Sequence, residues 1–295
     1  DQLSGRYQLW YQAYAGDRAQ ERSHRCVVCY AESDDGIHFE KPALDLFSFN
    51  GIERTNIVLV GSGGHSLRYA NSVVADPRAP MMGPSQSDGA PPDPSRRYKM
   101  AYFDFEKGGG RERPGLCAAF SPDGIHWTRY PWTPQHVARL FGVLAYLDAV
   151  PSAPIDPAAQ YILYGQRGSR WKTRQIGRRD SRDFINWSSN RPVLESSLDH
   201  TPGSEFYHLQ GAIINQAYGG LYLGMLGAYY ADLRRKFDPA RNDGLTECQL
   251  AYSRDTMRWA RWDEPFIARG DRGAFDWGGV YCGYPVVSGA QIYFM

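Results

Sequence analysis

Short apolar and aromatic runs centred on tyrosine recur along the whole chain, separated by polar stretches rich in Gly, Pro, Ser and Asp. They read Arg6-Tyr7-Gln8-Leu9-Trp10-Tyr11, Arg97-Tyr98-Lys99-Met100-Ala101-Tyr102, Tyr161-Ile162-Leu163-Tyr164, Leu221-Tyr222-Leu223-Gly224-Met225 and Ile292-Tyr293-Phe294. Runs this short, bounded by turn residues, predict strands. Four of the five are followed by a turn of one type that ends in an aromatic. These turns are Ser33-Asp34-Asp35-Gly36-Ile37-His38-Phe39, Ser121-Pro122-Asp123-Gly124-Ile125-His126-Trp127, Ser181-Arg182-Asp183-Phe184-Ile185-Asn186-Trp187 and Ser253-Arg254-Asp255-Thr256-Met257-Arg258-Trp259. Ser and Asp side chains bond backbone amides ahead of them, and Gly permits the left-handed backbone of a tight hairpin. The closing aromatic is expected to pack between neighbouring units. One supersecondary unit repeated end to end points to a stacked architecture. An all-β unit of this length reads as the blade of a β-propeller.

Each unit parses as four strands: an inner strand, the Tyr strand, a third strand ending at the turn, and a short outer strand carrying Phe or Trp. The second unit is the clearest, with strands expected over Asn71–Ala75, Arg97–Tyr102, Leu116–Phe120 and Ile125–Tyr130. Pro80–Arg96 between the first two reads as a surface loop. The expected fold is therefore all-β, a five-bladed propeller of four-stranded antiparallel blades forming one domain over residues 1–295. Only six residues precede Tyr7 and two follow Tyr293, so the first and last blades are expected to be incomplete. The other arrangement is a ring of four closed blades, in which a Val280–Val287 strand completes the N-terminal blade. Five Tyr strands favour the first.

Composition changes this picture little. With 33 basic and 32 acidic residues the net charge is +1, which is no footprint for nucleic acid or an anionic membrane surface. No apolar run approaches the roughly 18 residues that span a bilayer, and no signal peptide opens the chain. The expectation is a soluble protein, with secreted and cytoplasmic locations both open. Among the five cysteines, Cys26 and Cys29 form a C-x-x-C inside an expected strand, where an offset of three sends the two thiols to opposite faces. A redox or zinc pair needs a turn or helix start there, so both are expected to be core thiols.

Candidate chemistry lies at the inner strands, because those line the axis of a propeller. Asp76 stands in Ser72-Val73-Val74-Ala75-Asp76-Pro77, Asp148 in Leu144-Ala145-Tyr146-Leu147-Asp148-Ala149, Glu205 in Ser204-Glu205-Phe206-Tyr207-His208-Leu209-Gln210, and Asp276 in Phe275-Asp276-Trp277-Gly278-Gly279. Converging carboxylates supply an acid and a base, the pair that glycosidic hydrolysis needs. Each also has a plainer reading: Asp76 starts a turn, Asp148 bonds a neighbouring blade, Asp276 caps the Gly278-Gly279 turn. Glu is a poor turn former, which makes Glu205 the strongest candidate. His65 and Arg68 precede one inner strand, Arg167 follows the third Tyr strand, and Tyr207 and His208 lie beside Glu205. Strict alternation along that strand groups Glu205 with Leu209 and His208 with Gln210, unless a bulge intervenes. Trp277 and Tyr281 are aromatic candidates for stacking on a sugar ring.

The Tyr strands, the S-x-D-G-x-x-W turns and the Asp-Pro of an inner strand together resemble the five-bladed propeller glycosidases, the superfamily of invertases, levansucrases, arabinanases and β-xylosidases. The resemblance implies hydrolysis of a fructose- or other furanose- or pentose-containing oligosaccharide. It implies Glu205 as general acid, Asp76 as the group that grips hydroxyls and steadies the transition state, and Asp148 as the remaining carboxylate. Asp276, Trp277, Tyr207, His208, Arg68, His65 and Arg167 are the implied substrate contacts. The departures are Ala75 where the invertase-type motif has Arg, no Glu-Cys-Pro around Glu205, and Asp1 as the only acid before Tyr7, where relatives carry the nucleophile. No cofactor is implied. No H-x-x-x-H or Asp-rich calcium loop occurs, although relatives hold an ion on the axis that His65, His200 or His208 would join. The rival reading is a non-catalytic carbohydrate-binding or protein-interaction propeller.

Overall fold

In a computed structural model, residues 5–15, 25–49, 51–61, 69–75, 93–106, 113–131, 147–151, 161–168, 173–196, 204–215, 220–230, 244–283, 286–288 and 291–294 are described. Among them the fold is all-β, apart from one short 3-10 turn at Pro94–Arg96. The strands form five antiparallel sheets. The first holds β1 (Tyr7–Ala15), β2 (Arg25–Ser33) and β3 (Ile57–Leu59). The second holds β4 (Tyr69–Ala75), β5 (Tyr98–Glu106), β6 (Arg113–Ser121) and β7 (Thr128–Arg129). The third holds β8 (Leu147–Pro151), β9 (Tyr161–Gly168), β10 (Arg174–Ser181) and β11 (Arg191–Leu194). The fourth holds β12 (Ser204–Asn215), β13 (Leu221–Tyr230), β14 (Leu245–Ser253) and β15 (Trp259–Ile267), and the fifth β16 (Val286–Ser288) and β17 (Gln291–Tyr293). Every sheet is a meander in chain order, and each expected Tyr strand is in place. In the three four-stranded sheets it is the second strand.

The chain divides into two compact units, Asp1–Arg139 with Arg182–Trp187, and Leu140–Ser181 with Ser188–Met295. In the first unit β2 splits its side chains by strict alternation. Cys26, Val28 and Tyr30 enter one core cluster with Val58, Leu59, Met100, Tyr102 and Ala119, while Val27 and Cys29 enter another with Ile57. Neither thiol is in a disulfide, and the two are buried on opposite faces, as the strand reading requires. Burial pushes the Cys29 thiol up from its ordinary value. In the second unit the main cluster joins Ile162, Tyr164 and Ile176 of the third sheet to Phe206, Leu209, Leu226 and Trp259 of the fourth.

The repeated turn works by side-chain capping. Ser33 Oγ accepts from the amides of Asp35 and Gly36, and Asp35 Oδ1 accepts from those of Ile37 and His38. Ser121 with Asp123 and Ser253 with Asp255 repeat the set, and Asp183 takes the amides of Ile185 and Asn186. The residue after the Asp is left-handed in all four, with φ of 77° at Gly36, 82° at Gly124, 65° at Phe184 and 61° at Thr256. A β-branched residue there is costly. Thr256 is held by Arg178, which donates to both its carbonyl and its hydroxyl. The turn is also where blades meet. Gly124 O accepts from Trp127 of its own turn at 2.9 Å and from Trp10 of β1 at 2.7 Å. Thr256 O likewise accepts from Trp259 at 3.1 Å and from Tyr164 of β9 at 2.8 Å. One expectation is corrected: the outer strand of the second sheet is not Ile125–Tyr130 but only Thr128–Arg129. The Asp123 carboxylate holds the amides of Ile125 and His126 inside the turn.

Candidate functional site

Glu205 is the second residue of β12, and two adjacent cross-strand rows of the fourth sheet build its surroundings. One row runs Glu205, Tyr229, Thr246 and the next His208, Gly227, Cys248. Residues directly opposite share a face, as do residues two apart on one strand, so all six project from the same side of the sheet. Glu205 and His208 are three apart and meet there because the register shifts between Phe206 and His208, a bulge centred on Tyr207. This corrects the strict alternation: His208 lies with Glu205, and Leu209 lies with Phe206 in the core behind.

Arg174, at the start of β10, donates through Nη1 to Glu205 Oε2. The carboxylate side chain is 14% exposed and the guanidinium 28%. The same guanidinium lies 4.9 Å from the Tyr207 ring and 5.6 Å from that of Tyr229, cation–π contacts worth about 0.5–1 kcal/mol each. The two tyrosine rings meet edge to face at 4.7 Å, and Gln166 Nε2 donates to the Tyr207 carbonyl at 3.3 Å, fixing the bulge. Burial pushes the Tyr207 phenol up to about 12, so it acts as a neutral hydrogen-bonding group.

His208 is only 2% exposed. Its ring occupies the space left by Gly227, where an added Cβ would come within 2.3 Å of Nε2. Burial pushes its pKa down to about 4, so the imidazole is neutral at pH 7. Tyr281 stacks on it nearly parallel, with centroids 6.0 Å apart and planes at 24°, and is itself 54% exposed.

The remaining candidates divide. Arg167 lies on β9 opposite Gln175 and is partly buried. Asp276 and Trp277 lie in the turn over 274–279, which leads into Tyr281. The Asp276 backbone carbonyl accepts from the Gly279 amide at 3.2 Å, and its carboxylate lies against Gly270. Trp277 O accepts from Arg269, which also pairs with Glu247, itself bonded by the Tyr230 hydroxyl. Asp148 sits on β8 opposite Tyr164 by backbone register, its side chain outside the described residues. Asp76, His65, Arg68 and His200 lie outside them entirely. Among the described residues no group of three or more His, Cys, Asp or Glu is placed to hold a metal ion, and no helix is long and apolar enough to cross a membrane. Arg174, Tyr229, Thr246 and the Cys248–Cys282 disulfide were not singled out from sequence. Only the cross-strand register brings them together.

Against solved structures the arrangement of sheets is decisive. The fold is that of the five-bladed β-propeller glycoside hydrolases. One similar structure belongs to the GH130 family of mannoside phosphorylases, described as containing glycoside hydrolases that target β-1,2 mannosidic linkages in Candida mannan. It is 16% identical, with a TM-score of 0.60 over 98% of this chain and 77% of that one. A glycosyl hydrolase from Bacteroides ovatus is 14% identical at a TM-score of 0.60, over 98% and 77% of the two chains. The GH32 β-fructofuranosidase of Bombyx mori is 11% identical at a TM-score of 0.57, over 98% of this propeller and 52% of that chain. No protein-family model and no curated protein sequence matches the chain.

Proposed function

We propose that the protein is a glycoside hydrolase acting on an oligosaccharide, with Glu205 as its general acid. The observation that carries this is the Glu205 carboxylate on the first strand of its sheet in a propeller fold, sharing one face with Tyr229 and His208 beside the Tyr207 ring. Arg174 engages Oε2 and orients the group, which leaves Oε1 for the glycosidic oxygen. In this reading Glu205, in its protonated form, gives its proton to the leaving oxygen as the C–O bond breaks, and water supplies the oxygen of the new bond at the anomeric carbon. Asp76 holds sugar hydroxyls and stabilises the oxocarbenium-like charge, and Asp148 supplies the second carboxylate. Tyr207 and Tyr229 offer the mixed apolar and hydroxyl surface that a sugar ring fits. A fructose- or other furanose- or pentose-containing substrate is proposed on the Asp76-Pro77 pair.

The test is a panel of fructosides, arabinosides, xylosides and β-1,2-mannosides, each as natural oligosaccharide and as activated aryl glycoside. Glu205→Gln is expected to lower turnover of the natural sugar by about a hundredfold or more while sparing the aryl glycoside, whose leaving group needs no proton. Undiminished turnover of a natural sugar by Glu205→Gln removes Glu205 from the role. Sugar binding without turnover in the wild type supports a carbohydrate-binding propeller instead.

A further inference from the structure

The side of the fourth sheet that carries Glu205 is crossed by a segment with no strand of its own, Gly278 to Cys282. It is fastened at three points to β14. Thr246 and Gly279 form a parallel bridge, with the Val280 amide donating to Thr246 O at 3.0 Å. Cys282 is joined to Cys248 by a disulfide, in a small cluster with Met225. Between them Thr246 Oγ1 donates to the Tyr281 hydroxyl at 3.2 Å. Thr246 and Cys248 are the β14 members of the two cross-strand rows that begin at Glu205 and His208.

Tyr281 is therefore held at its backbone on both sides, at its hydroxyl, and on one ring face by His208. Gly227 is what allows the last contact, since any side chain there would drive His208 out of its place. A large aromatic at the surface, half exposed yet held this way, has lost most of its rotamer freedom before any ligand arrives. Preorganisation of this kind removes the ordering cost that a loose side chain charges against binding.

We propose that Tyr281 is a fixed stacking platform for a sugar ring adjoining Glu205, and that the Cys248–Cys282 disulfide and His208 are the positioning residues that hold it. The proposal rests on the glycosidase reading for its ligand, and on geometry alone for its mechanics. The platform binds the sugar equally in ground and transition states, so it sets KM and leaves kcat nearly unchanged. Cys26, Cys29 and Cys117 form no disulfide, so reduction acts on the Cys248–Cys282 bond alone.

Two measurements test it. Hydrogen exchange at the Val280 amide, in the wild type before and after reduction with dithiothreitol and in Cys248→Ser/Cys282→Ser, reads the mechanics without any sugar. Exchange is expected to rise about tenfold or more once the bond is gone, and unchanged protection overturns the positioning role whatever the activity. Steady-state kinetics on whichever aryl glycoside the wild type cleaves reads the platform. Tyr281→Ala and the double Ser variant are expected to raise KM about tenfold with kcat within about threefold, and Tyr281→Phe to restore the wild-type KM. An unchanged KM in Tyr281→Ala overturns the platform while the hydrolase reading stands. If no glycoside is cleaved the hydrolase reading fails instead, and the exchange data still decide the role of the disulfide.

Discussion

His208 shows how much one buried ring commits the protein. The neutral imidazole between Gly227 and Tyr281 has its pKa pushed down to about 4, against about 6.5 in an unfolded chain. A base whose folded pKa lies below its unfolded one is protonated more readily on unfolding, so its neutral form favours the folded state fully above pH 6.5. That contribution is lost as pH falls from about 6.5 towards 4. Urea unfolding of the wild type is expected to weaken through this window by up to about 1.4 kcal/mol per pH unit from this group. In His208→Asn the same comparison between pH 7 and pH 5 should be flatter. An equal slope in both proteins assigns the pH dependence elsewhere. Glu205 draws its arginine partner, Arg174, from another sheet.

At the scale of elements the repeated turn is the part most open to reading in advance. Its Ser and Asp positions were legible because each acts on amides two or three residues away, and the left-handed position was legible where Gly fills it but not at Phe184 or Thr256. The turn also makes unequal demands on its glycines. At Gly124 a Cβ would meet the Trp10 indole at 2.6 Å, whereas at Gly36 the nearest atom, on Tyr7, is at 3.3 Å. Gly124→Ala is therefore expected to cost about 2–3 kcal/mol, left-handed strain plus displacement of the Trp10 indole. Gly36→Ala should cost about 1 kcal/mol, chiefly the strain. Denaturant midpoints of the two variants check the difference, and equal costs would show that Trp10 yields easily. The strand faces around the site were less legible. The Tyr207 bulge carries no glycine to announce it, and it reverses which neighbours Glu205 keeps. The shortened β7 was missed because an aromatic-rich run looks like strand even where an Asp has claimed its amides.

At the scale of the molecule, the five sheets among the described residues follow from five tyrosine strands, so the architecture was carried by a pattern repeated often enough to survive local exceptions. The pairs that complete the site were not, because Arg174 and Glu205 are 31 residues apart and Cys248 and Cys282 are 34 apart, with no periodicity linking them. Closing a loop of 34 residues restrains the unfolded chain enough that Cys248→Ser/Cys282→Ser is expected to lose about 2–4 kcal/mol of stability while keeping the fold. Chemical denaturation with an unchanged native far-ultraviolet spectrum checks this, and no loss of stability would mean the bond constrains only its own segment. Such a cross-link persists where thiols are oxidised and is withheld in a reducing cytosol. A bacterial expression host therefore makes two forms of this protein from one gene, depending on whether the chain is exported, and on the proposal above they differ, besides stability, in whether a single tyrosine ring stands still.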